Sequence, residues 1–275
     1  MTPQPKTAYT FHKVREQCPA GNPEAWGAFL EFYTPLAMHL LKMYLPEGGA
    51  AAGLVWEQTL AALSGDDFQR LRATQASSER EFLVDLRALL LDQALSASQP
   101  AIANAPLDLE RLAKLLEGLP LLQREMLFHK LAGYTDGSIE HMLRMAPRVA
   151  QAAFARLNPD FAAALQGQSD GCQWPGTWLA LLADARGKKQ ESCTPLHQFL
   201  RIHDGQVSWY DKEPIESHVT TCPRCLEAWA ALREVTYWRK AAAAIAPAEL
   251  ERYMQVLPVA APPKKNFFQR VFRQG

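Results

Sequence analysis

The chain has 275 residues, 48% of them hydrophobic and 21% charged, which is ordinary for a globular protein and excludes a disordered one. Formal net charge is zero, but Met1–Gln166 sums to −3 and Gly167–Gly275 to +3, so the first part lacks the basic excess of a dedicated DNA-binding domain. Five cysteines without regular spacing exclude a secreted disulfide framework, and no apolar signal core or membrane-length run occurs, so the expected location is the cytoplasm.

Helical periodicity runs through almost the whole sequence, and alternating β-branched runs are nearly absent, so the expected fold class is all-α. In "NPEAWGAFLEFYTPLAMHLLKMYL", Trp26, Phe29, Leu30, Tyr33, Ala37, Leu40 and Leu41 recur at three- and four-residue steps and make one apolar face. Asn22 is placed to cap this helix and Pro23 to open it. "LVWEQTLAAL" and "SEREFLVDLRALLLDQAL" read as further amphipathic helices, with "SGDD" and "ATQASS" as breaks. The polar, proline-bearing stretch "SASQPAIANAPLD" marks a domain boundary at about residue 100.

Four short helices are expected between Asp108 and Leu165. Gly133 ends the one over Leu121–Leu131, Thr135 or Asp136 caps the next, and Pro147 opens the last, a helix-turn-helix pattern. "QGQSDGCQWPGTW" reads as a second linker. The expected architecture is two small helical bundles, residues 1–100 and 101–166, a further small helical domain over 187–242, and a tail over 243–275.

The chemistry concentrates in "ESHVTTCPRCLEAW", where His218, Cys222 and Cys225 stand at H-x3-C-x2-C spacing. Thiolate and imidazole are good zinc ligands, and a structural site takes four of them in a tetrahedron. The first turn of a helix can aim Cys222 and Cys225 at one ion, with His218 on the same side. Cys193, in "ESCTPLHQF", supplies the fourth ligand; His197 is the substitute and His203 a weaker one. Inert buried thiols and a redox dithiol are the competing readings, the latter lacking its usual βαβ context. A catalytic zinc would need an open position, which four protein ligands do not leave, and no Gly-rich phosphate loop or nucleophile elbow occurs. A non-enzyme is expected.

The spacing Cys193…His218-x3-Cys222-x2-Cys225 resembles the zinc-binding anti-sigma domain, with its short helix, acidic turn and helix carrying the motif. The earlier segments resemble extracytoplasmic-function sigma factors. Gly21, Ala25, Trp26 and Tyr33 are similar to the opening of region 2, and Leu54, Val55 and Glu57 to the polymerase-clamp helix. Leu119, Pro120, Gln123, Arg124, Glu125, Gly133, Tyr134, Ile139 and Leu143 are similar to region 4, which reads the −35 element. The resemblance implies a sigma-like transcription regulator with a fused anti-sigma-like domain gating RNA polymerase core or promoter DNA. Departures from the pattern favour a second reading, an interaction protein that binds a sigma or anti-sigma partner. The helix "PRVAQAAFARL" offers DNA only Arg148, Gln151 and Arg156, with Gln151 and Ala153 at usually basic positions. Arg144 stands where the family's turn has glycine, and Asp85 and Asp92 occupy the helix expected to open the −10 element. The terminal "KKNFFQRVFRQG" carries Phe267, Phe268, Val271 and Phe272 among cations, a composition that suits an anionic membrane surface or a partner's groove.

Overall fold

The computed structural model describes residues 10–45, 49–73, 76–98, 107–165, 174–241 and 243–257. Among them the secondary structure is helical with no strand, so the protein is all-α. The helices are α1 (Phe11–Gln17), α2 (Pro23–Tyr44), α3 (Gly49–Ala73), α4 (Glu79–Ala97), α5 (Leu109–Leu116), α6 (Leu121–Leu131), α7 (Asp136–Leu143), α8 (Pro147–Leu165), α9 (Trp174–Gly187), α10 (Leu196–His203), α11 (Trp209–Thr221), α12 (Pro223–Ala241) and α13 (Pro247–Val256). None of the described helices is long and apolar enough to cross a membrane.

Contacts divide the chain into two compact units. The first comprises 1–34, 60–74 and 244–275, the second 35–59 and 75–243. In the first, Asn22 caps α2, its Oδ1 accepting from Glu24 N–H at 2.9 Å, and Pro23 opens the helix. Trp26 is fully buried and donates its indole N–H to the Cys18 carbonyl at 2.9 Å, and Phe29 packs between the Trp26 and Tyr33 rings. Tyr253, on α13, is buried in this unit. That helix falls inside the segment expected as a tail.

The second unit holds the sequence segments expected as region 4-like and zinc-binding in one core, together with α4. Its centre is α12, which packs against α4, α6, α7, α9, α10 and α11. Leu226, Trp229, Ala230, Ala231, Leu232 and Val235 of α12 are buried, as are Leu83, Leu86, Leu90 and Leu91 of α4. Burying side chains of this size stabilises by about 1.5–3 kcal/mol each. Thr135 caps α7 and Pro147 opens α8 across a short turn, residues 144–146, while α6 packs on both.

Two expectations are corrected. "SGDD" does not break α3, which continues to Ala73; the Ser64 hydroxyl bonds back to the Leu60 carbonyl at 2.8 Å and only Asp66 departs, to φ 46°. "WPGTW" is no linker: it opens α9, because Trp178, Leu179, Leu181, Leu182 and Ala185 give that stretch an apolar face, which is buried. A proline and a glycine in a first helical turn cost little.

Candidate metal centre

The local chemistry at Cys222 decides the centre. The following Pro223 disfavours helical geometry at Cys222, which adopts φ −107° and ψ 113° and so ends α11. Its N–H still bonds to the His218 carbonyl at 2.9 Å, and its own carbonyl accepts from Leu226 N–H at 3.0 Å, starting α12. His218 thus lies in the last turn of α11 and Cys225 in the first turn of α12, either side of Cys222. Cys193 comes from the tight turn before α10, where the Gln190 carbonyl accepts from Cys193 N–H at 3.1 Å.

The ligand atoms of Cys193, His218, Cys222 and Cys225 all lie within 4.8 Å of one another. The Cys193 and Cys222 sulfurs are 3.8 Å apart. A tetrahedron with metal–sulfur bonds of about 2.3 Å has an edge of roughly 3.8 Å, so this pair already stands at zinc spacing. Cys222 and Cys225 are buried, and Nε2 of His218 is buried without a hydrogen-bond partner among the described residues. An unpartnered buried nitrogen is costly unless something else binds the imidazole. The donor set and its geometry therefore fit a metal ion.

The thiols differ electrostatically. Burial pushes Cys225 up to about 12, against a weaker lowering by a backbone hydrogen bond from Thr194. For Cys193 burial is the largest single effect and raises the pKa, but the Gln190 N–H, which donates to Sγ at 3.3 Å, with Cys222, Cys225 and the charge of Arg224 together outweigh it, so its pKa falls. A cavity of about 400 Å³ lies beside the cluster, lined in part by Glu81, Asp85, Lys189, Cys193, His197 and Arg224. Cys193 and Cys225 both line it, so small solutes have a path to two of the four candidate ligands.

The alternative ligands stand elsewhere. His197 is exposed and outside the cluster. His203 sets its ring edge-on against Trp229, with centroids 4.2 Å apart. Arg148, Gln151 and Arg156 are all exposed on α8. The basic aromatic tail lies outside the described residues.

Sequence reasoning missed a second polar constellation. Arg87, on α4 and fully buried, pairs with Glu234 and, at 2.6 Å, with Glu227, both on α12 and both buried. Glu234 also accepts from the Tyr44 hydroxyl at 2.9 Å and from the Tyr134 hydroxyl, which in turn accepts from the Trp238 indole at 2.9 Å. Burial would raise Glu234, but Arg87 and these donors hold it below the usual carboxylate range. The signals were an arginine inside the apolar run "FLVDLRALLL" and two glutamates seven residues apart, hence on one face of α12. No protein-family model matches the chain, and neither a curated protein nor a solved structure matches it.

Proposed function

We propose that the chain is a transcription-initiation regulator whose sigma-like helices are gated by an anti-sigma-like, zinc-stabilised segment of the same polypeptide. One observation supports this reading above others: α12, whose first turn carries Cys225, is buried against α4, α6 and α7, the helices that resemble sigma regions 2 and 4. An apolar helix face that polymerase or promoter DNA would need is unavailable while α12 covers it. Zinc in the Cys3His set would hold the turn that joins α11 to α12, and four protein ligands leave it no open position, so no catalytic role is assigned.

Run-off transcription with core polymerase tests the gate. The zinc-loaded full chain should be inactive or weak, and the chelated chain more active. No transcript in either state, with a sigma or anti-sigma protein co-purifying, would replace the gate with the interaction reading. A specific observation favours that second reading. The exposed face of α8 carries Arg148 and Arg156 as its cations and leaves Val149 55% exposed, a surface better matched to protein than to phosphate.

A further inference from the structure

Independently of the metal centre, the second unit contains a cavity of about 270 Å³ lined by Arg80, Arg144, Arg233 and Lys240 together with His141, His203 and Asp204. The cations converge from distant parts of the chain: Arg80 from the first turn of α4, Arg144 from the cap of α7, Arg233 and Lys240 from α12. Like charges gathered around one hollow repel, and one carboxylate in the lining opposes them. That carboxylate, Asp204, is already held by Arg80, Nη1 to Oδ1 at 2.9 Å and Nη2 to Oδ2. Arg233 is turned to Glu125, 3.2 Å from its Oε1, and lies over the Trp229 ring.

Two cations are left over. Both are exposed: among the described residues neither Arg144 nor Lys240 has an ion-pair or hydrogen-bond partner for its side chain, and the charge of Arg144 also acts on Asp204. A third polar group is left over too: Nε2 of His203 is buried and unpartnered. Arg144 is moreover held at φ 54°, a left-handed conformation that glycine adopts freely and arginine does not. Arg144 and Lys240, near the C-termini of α7 and α12, offset helix dipoles, which accounts for their tolerance there. It accounts neither for the cavity nor for the unpartnered imidazole.

We propose that this cavity binds a small phosphate monoester, its oxyanion bridging Arg144 and Lys240 and accepting a hydrogen bond from His203. Guanidinium and ammonium groups suit phosphate oxygens, and charge-assisted bonds of this kind are the strong ones. A concave hollow of this size admits a terminal phosphate on a small molecule. A duplex presents its phosphates along a convex surface and fits it poorly. Bound there, the anion ties the α7 cap, α10 and α12 together and favours the arrangement in which α12 is buried.

The test is a thermal-shift and calorimetric titration of the full chain with inorganic phosphate and with glycerol phosphate, against potassium chloride at matched ionic strength. Both phosphates should give a saturable rise in Tm that chloride does not. K240A and R144G should each weaken the apparent Kd at least tenfold, and R144G relieves backbone strain, so its loss of binding cannot come from misfolding. An equal response to chloride, unchanged binding in both variants, or saturable binding to duplex DNA without any to the phosphates would overturn the proposal.

Discussion

Arg144 separates a backbone requirement from a side-chain one. The next N–H, of Met145, closes α7 on the Glu140 carbonyl at 3.0 Å, which needs the left-handed conformation at Arg144, and an arginine there is strained. Arg144→Gly should therefore raise stability by about 1 kcal/mol in chemical denaturation. Buried histidines act in the opposite sense with pH. Burial lowers His129 to about 4 and His203 to about 2, so both stay neutral in the folded chain while their unfolded counterparts gain protons below about 6.5. The unfolded state then binds more protons, and stability falls as pH drops. Between pH 7.5 and pH 5 each histidine should cost on the order of 2 kcal/mol, read from urea midpoints across that window. His129→Leu should flatten the slope.

At the scale of elements, α4 and α12 are joined by a buried ion cluster rather than by apolar packing alone. Removing Arg87 strands Glu227 and Glu234 without their main counter-charge, so Arg87→Ala should cost about 3–5 kcal/mol. Replacing Arg87, Glu227 and Glu234 together by apolar residues of similar size should recover much of that loss, since paired buried charges contribute little net energy. Equal destabilisation in the single and triple variants would show that the cluster specifies the packing as well as neutralising itself. The junction of α11 and α12 carries the Cys193, His218, Cys222 and Cys225 cluster, which could hold a metal ion. Cys222→Ser with Cys225→Ser should abolish stoichiometric zinc in elemental analysis and lower Tm by more than 10 °C. Because Cys225 is raised to about 12, its proton must leave when metal binds, so zinc affinity should weaken as pH falls and binding should release protons in a calorimeter.

For the molecule as a whole, α12 is the piece that cannot be removed. A chain ending at Gln166 would expose the faces of α4, α6 and α7 that α12 covers, and it should lose cooperative unfolding and much of its helical circular dichroism. A stable, fully helical Met1–Gln166 fragment would show that the helices before Gln166 form a body of their own. The all-α class, the caps at Asn22 and Thr135, the helix opening at Pro147 and the Cys193, His218, Cys222, Cys225 set were all legible in the sequence. Most rest on short-range chemistry: a period of 3.6, a capping hydroxyl or amide, a proline's fixed φ, the close spacing of His218, Cys222 and Cys225; Cys193, 25 residues before His218, was placed beside them by the fold rather than by local spacing. The run through "SGDD", the helix opened by "WPGTW", the Arg87–Glu227–Glu234 cluster and the cationic cavity were not legible. They depend on which helices meet. Burial overrode local turn signals in α3 and α9, and charges far apart along the chain became buried partners once α4 and α12 were brought together. Local rules determined where most helices start and that His218, Cys222 and Cys225 are neighbours; only tertiary packing brought Cys193 to them and decided that α12 would stand at the centre of its unit.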